Sequence, residues 1–161
     1  MSSLATFVVL LKSTLHNVGV IVVGIGFAYL GTAVDSLFGF PAIAFPFANG
    51  AAILLLGFGF LLRLWATFHF YAHKMRVISL VPQATLITSG PYRFSRNPLY
   101  LGGNVFIFFG AALLLGSSAA LVVTALHLPL MDRFIRREEE QLERTFGDEW
   151  QSYRRRVHRW L

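Results

Sequence analysis

The 161-residue sequence contains no cysteine and few charges of either sign. Without cysteine there is no disulfide, no thiolate metal site and no thiol nucleophile, although nothing follows about redox compartment. Charged residues make up 14% of the chain, against about 25% in soluble domains. A protein of 18.0 kDa cannot cover its surface against water with so few charges, and 55% of its residues are hydrophobic. Lipid is therefore the solvent for much of the chain. Most soluble enzymes, nucleic-acid modules and disordered tails are excluded. None of the eight carboxylates falls at mid-depth of an apolar run, so a proton-coupled exporter lacks its proton carrier. No metal site is read from the sequence.

What the sequence does contain is long uncharged runs. The first, 13–34, holds only His16 as a titratable group; Lys12 separates it from the apolar Leu4 to Leu11, so the start of the first helix is open to either side of that lysine. The second, 36–62, begins irregularly at Pro41 and Pro46, so its helix is expected from residue 48. The third, 97–131, is too long for one crossing of a hydrocarbon layer about 30 Å thick, and Gly116-Ser117-Ser118 is its natural break. The expected architecture is an all-α polytopic membrane protein, one domain over 1–161. Four spans are expected at about 13–34, 48–72, 98–115 and 119–136, the last two forming a helical hairpin. Cytosolic amphipathic helices follow, one at 137–146 continuing out of the fourth span and one at 149–160. Gly147 reads as a helix stop and Asp148 with Gln151 as a capping box. Trp150, Tyr153, Val157 and Trp160 form an apolar stripe at helical spacing, with Arg159 on the other side.

Charge orients the loops. Lys74, Arg76, Arg93 and Arg96 stand without an acid between the second and third spans, and the tail from 133 carries eight arginines against six carboxylates. The bias of Lys and Arg puts both, and both termini, on the cytoplasmic side, and a bacterial inner membrane is the expected location. There they face anionic lipid head groups. The net charge of +6 is thus explained without nucleic acid. Arg63, inside the second span, must snorkel or pair. His16, His69 and His127 lie toward the same membrane face, as interfacial packing residues or as part of a site.

Polar chemistry concentrates in two places. Gly90-Pro91 marks a turn, and Asn97-Pro98 reads as a helix N-cap followed by proline at the first position. The free amides there favour a carboxylate or phosphate, with Arg93 and Arg96 adding charge and Tyr92 and Tyr100 adding aromatic faces. The same residues also suit a plain interface anchor. In the tail, Glu138, Glu139 and Glu140 are consecutive on a helix and point 100° apart, so at least one turns inward.

The run from Ser89 through Gly102 resembles a signature of the isoprenylcysteine carboxyl methyltransferase and phospholipid methyltransferase superfamily. A second follows in Glu138-Glu139, Leu142, Phe146-Gly147, Glu149-Trp150, Tyr153, Val157 and Arg159-Trp160. The resemblance covers roughly 48–161. It implies an integral membrane enzyme using S-adenosylmethionine, with the cofactor held by Tyr92, Arg93, Arg96, Asn97, Pro98, Tyr100, Leu101, Glu138 and Tyr153. Glu139 and Glu138 are the candidate proton acceptors, and Arg137 or Arg156 the candidate partner of an acidic acceptor. Asn97 replaces the histidine of the carboxyl methyltransferases, and Trp150 a common tyrosine. The acceptor is expected to be a lipid-like or prenylated molecule arriving from the bilayer. A carboxyl group is the first expectation, with a lipid amine or thiol as alternatives and a non-catalytic lipid-binding module as the competing class. The sequence leaves the oligomeric state open.

Overall fold

The computed structural model describes residues 3–73 and 85–161, and every regular element among them is helical. Helix α1 runs over Ser3–Phe38, α2 over Ala48–Ala72, α3 over Pro98–Leu114, α4 over Ser118–Phe146 and α5 over Asp148–Arg156. A single 3₁₀ turn, Gly90–Arg93, precedes α3. Three helices, α1, α2 and α4, are long and apolar enough to cross a membrane, and this makes the protein an integral membrane one. The expected fourth span, α3, is apolar but has only 17 residues, about 25 Å at 1.5 Å per residue.

Boundaries differ from expectation where local signals compete with packing. Of the two starts open to the first helix, α1 takes the one before Lys12, beginning at Ser3, and would be about 54 Å long; one exposed lysine can snorkel without breaking a helix. The tail helix at 137–146 does continue out of the span at 119–136, as expected, and the two form one helix, α4, that absorbs Pro129. The last helix stops at Arg156 rather than 160, with Val157 extended. The capping box does not form: Gly147 is the residue before α5, and the Gln151 side chain donates to Glu143 instead. Lys74 and Arg76 lie outside the described residues.

The α3–α4 hairpin turns at 115–117, as Gly116 and the two serines imply, and Gly116 takes φ +65°. Ser117 Oγ accepts from the Ala120 amide, capping α4. Asp35, at the end of α1, accepts from Ser117 Oγ at 2.6 Å and from the Ala119 amide at 2.8 Å. A carboxylate is thus fixed at a helix N-terminus, where the helix dipole stabilises it.

Helices α1 and α3 each pack against both α2 and α4. Their contact surface is made of small residues: Ala28, Ala111, Ala112 and Ala120 form one buried cluster. A Cβ on Gly31 would lie 2.6 Å from that of Ala120, and one on Gly59 would lie 2.6 Å from the Gly102 carbonyl. Close backbone approach replaces hydrophobic burial as the packing force, since lipid is as apolar as leucine. Large side chains such as Leu4, Leu15, Val22, Leu54, Leu61 and Leu126 are correspondingly exposed on the outside.

Candidate active site at one end of the helices

The two polar motifs meet at one end of the molecule. The link is the short segment after α5. Because Val157 is extended, the chain turns back over the start of α3: the Arg96 amide donates to the His158 carbonyl at 3.0 Å, and Ser95 Oγ donates to the Arg159 carbonyl at 3.1 Å. Asn97 is the residue before α3, yet its side chain does not cap the helix. Its amide donates to the Arg159 carbonyl at 3.3 Å, and its own N–H goes to Ser95 Oγ. Its role is to tie the C-terminal segment down. Pro98 is fully buried and occupies the first helical position.

Of the three consecutive glutamates, Glu139 turns inward and is buried, Glu138 is half-buried and Glu140 is exposed. Glu139 receives two guanidiniums. Arg159 reaches it through Nη2 at 2.6 Å and Nε at 3.2 Å, and Arg96 Nη2 stands 3.3 Å away. Arg159 also reaches Asp132 at 3.2 Å, and Asp132 in turn holds Arg136 at 2.8 Å. Charge-assisted bonds of this kind are short and strong. Hydrogen bonding to Glu139 raises the pKa of Arg159, whereas burial lowers that of Arg96. Glu138 accepts the Tyr100 hydroxyl at 3.0 Å.

Arg137 and Arg156 do not join this cluster. Both are exposed, and Arg156 Nε donates to the Ser152 carbonyl one turn back on α5. Arg93 is also exposed. The arginine that sequence reasoning missed is Arg159: continuing α5 to residue 160 puts it on the solvent side, and only the break at Val157 turns it inward. A β-branched residue at the end of a nine-residue helix was the available signal. Asp132 was missed as well, because it sits inside an apolar helix. The stripe of Trp150, Tyr153 and Val157 packs on Leu86, Leu142 and Phe146, and the Tyr153 hydroxyl donates to the Tyr92 carbonyl at 2.7 Å. Leu101 is buried at the start of the third helix.

Four buried side-chain atoms among the described residues have no hydrogen-bond partner: Arg96 Nε and Nη1, Trp150 Nε1 and the Tyr92 hydroxyl. Such groups are costly and call for an explanation. The Arg96 side chain is only 8% exposed and lies 5.6 Å from the Trp150 ring centre. Burial pushes the Tyr92 and Tyr153 hydroxyls up from their usual range. Next to this cluster, a groove of about 400 Å³ runs between α3 and α4. Leu101, Val105, Leu128, Pro129 and Met131 line it, Asp132 is its acid and Trp160 its aromatic residue.

The arrangement offers unpaired donors, two carboxylates and an apolar groove within one end of a membrane protein. An uncharacterized protein of Haemophilus influenzae is 38% identical over 58 residues, which are 35% of this chain and 92% of that protein. No solved structure matches the chain. The profile described as phospholipid methyltransferase matches residues 47–149, from the start of α2 into α5. Membership of that family supports S-adenosylmethionine-dependent methyl transfer in a membrane setting, and by that match the chain belongs to the phospholipid methyltransferase family.

Proposed function

We propose that the protein transfers a methyl group from S-adenosylmethionine to a hydrophobic acceptor held in the membrane. The three long helices and the shorter α3 all cross a bacterial inner membrane, with both termini and the polar end in the cytoplasm, and residues 1–161 act as one domain. The observation that carries this reading is the buried Arg96 guanidinium, with Nε and Nη1 unpartnered beside unpartnered Trp150 Nε1. Buried donors in that number suit a carboxylate such as the cofactor's methionine end. Tyr92, Asn97, Pro98, Tyr100, Leu101, Glu138 and Tyr153 complete the proposed binding set, and Tyr92 brings its own unpartnered hydroxyl. A sulfonium is a cation that donates no hydrogen bond, so the aromatic face of Tyr100 and the carboxylate of Glu138 suit it. When bound, the cofactor supplies an electrophilic methyl group.

The chain's own contribution is to hold acceptor and cofactor in line and to keep water out. The apolar groove beside Asp132 and Trp160 takes the body of the acceptor, which arrives from the bilayer; exposed arginines such as Arg136, Arg137, Arg154 and Arg156 face anionic head groups. A carboxyl acceptor, the first reading, needs no proton acceptor. The second reading is a lipid amine, which the family's description as phospholipid methyltransferase favours. An amine must lose a proton, and Glu138, which accepts only a neutral Tyr100 hydroxyl among the hydrogen bonds seen, suits that task better than Glu139 with its two guanidiniums.

The test is incubation of purified protein with methyl-labelled cofactor and membrane lipid extract. Base-labile, volatile label marks a methyl ester; stable label in extracted lipid marks an amine or sulfur acceptor. Saturable binding without transfer to any lipid would instead support a non-catalytic module. Arg96→Met is expected to weaken cofactor binding at least tenfold, and unchanged binding would remove Arg96 from the site.

A further inference from the structure

Arg63 lies in α2 and is only 8% exposed, and no carboxylate pairs with it among the described residues. Its three nitrogen atoms instead meet neutral acceptors. Nε donates to Asn17 Oδ1 at 2.9 Å, Nη1 to the Leu99 carbonyl at 2.6 Å, and Nη2 stands 3.2 Å from His16 Nε2. An arginine within a span is expensive, so its retention asks for a task.

The shortest of these bonds identifies one. Leu99 is in the first turn of α3, next to Tyr100, and directly after it the helix widens into a π segment, Leu101–Ile107. Segments of this type are uncommon and recur where a helix is shaped for function. The helix also makes room for the guanidinium. A Cβ on Gly102 would come within 2.6 Å of Arg63 Cγ, and one on Gly103 within 2.7 Å of Nη1. Arg63 therefore occupies the space two consecutive glycines leave open, and it holds the carbonyl of the residue before Tyr100.

We infer that Arg63 is a positioning residue: by clamping Leu99 it fixes the wide turn of α3 and so aims the Tyr100 hydroxyl at Glu138. The inference rests on the proposed cofactor site, of which Tyr100 and Glu138 are part. The bland alternative is that Arg63 merely glues α1 to α2, as Thr67 does; Asn17 Nδ2 donates to Thr67 Oγ1 at 2.8 Å in the same buried network.

The deciding experiment uses the full chain in lipid nanodiscs, comparing Arg63→Met, Arg63→Lys, Thr67→Val, Tyr100→Phe and the Arg63→Met/Tyr100→Phe double variant. Without any ligand, Arg63→Met is expected to speed amide hydrogen exchange in residues 99–107 at least tenfold while leaving α4 unchanged. With S-adenosylmethionine, Arg63→Met weakens binding about tenfold, Arg63→Lys restores part of it, and the double variant binds no more weakly than Arg63→Met alone. Thr67→Val lowers thermal stability but keeps affinity within twofold. Should the two losses multiply in the double variant, or should Thr67→Val weaken binding as Arg63→Met does, Arg63 is glue and the inference falls. If the unmodified protein binds no cofactor, the methyltransferase reading fails, while the exchange measurement still decides whether Arg63 sets the turn.

Discussion

Removing the Glu139 carboxylate leaves the buried Arg96 guanidinium without its ion pair, while Arg159 keeps Asp132, and an uncompensated buried charge is far more costly than a lost surface pair. Glu139→Ala is therefore expected to destabilise the protein by about 3–5 kcal/mol, read from thermal unfolding in detergent. Glu143, one turn further along α4, gives the contrast. Its pair with Arg154 spans 3.7 Å with side chains 49% and 41% exposed, so Glu143→Ala should cost less than about 1 kcal/mol. The inward turn of one glutamate follows from three consecutive acids on a helix. Which cations would meet it does not follow, because Arg159 reaches Glu139 only through a chain reversal that no residue spacing expresses.

At the scale of elements, the ends of α4 carry the most specific geometry. Asp35 supplies two hydrogen bonds to its first turn from the last turn of α1. Asp35→Ala removes both and leaves Ser117, itself fully buried, short of a partner; a loss of about 1–2 kcal/mol is expected in the same unfolding measurement. At the other end Gly147 holds φ +50° and ψ −118° between α4 and α5, a backbone state closed to residues with a Cβ. Gly147→Ala should destabilise by about 1 kcal/mol or more, and, because α5 carries Trp150 and Tyr153, it should also weaken cofactor binding. The glycine stop and the Gly116 turn were legible because both depend on backbone freedom, which is local. The continuation of the last span into the tail as α4 was legible as well, since no glycine or proline separates residues 133 and 146; the end of α5 at Arg156 was not, because no such residue marks it.

For the whole molecule, orientation is the testable property. The absence of cysteine makes single introduced cysteines clean reporters. Thr85→Cys and Glu149→Cys, both at exposed positions, should resist a reagent confined outside the cell, whereas Ala44→Cys, exposed in the α1–α2 connection, should react. Labelling of Thr85→Cys from outside would invert the topology and move the polar end away from the cytoplasm. The same assay tests whether α3, despite its 17 residues, crosses the bilayer: Thr85→Cys and Glu149→Cys share a side only if the α3–α4 hairpin goes across and returns.

Composition and apolar run length were enough to determine that this chain is helical and lives in lipid, and where its second helix and its hairpin turn lie, because burial in hydrocarbon and backbone freedom act residue by residue. The ordered pair of polar motifs was enough to place it among membrane methyltransferases. Only the tertiary structure decided that Arg159 and Arg96 share Glu139, that Asn97 binds the C-terminal segment instead of capping α3, and that Arg63 holds the carbonyl before Tyr100. Each of these is a contact between groups distant in sequence, fixed by how closely glycines let helices approach and by where the chain turns back on itself.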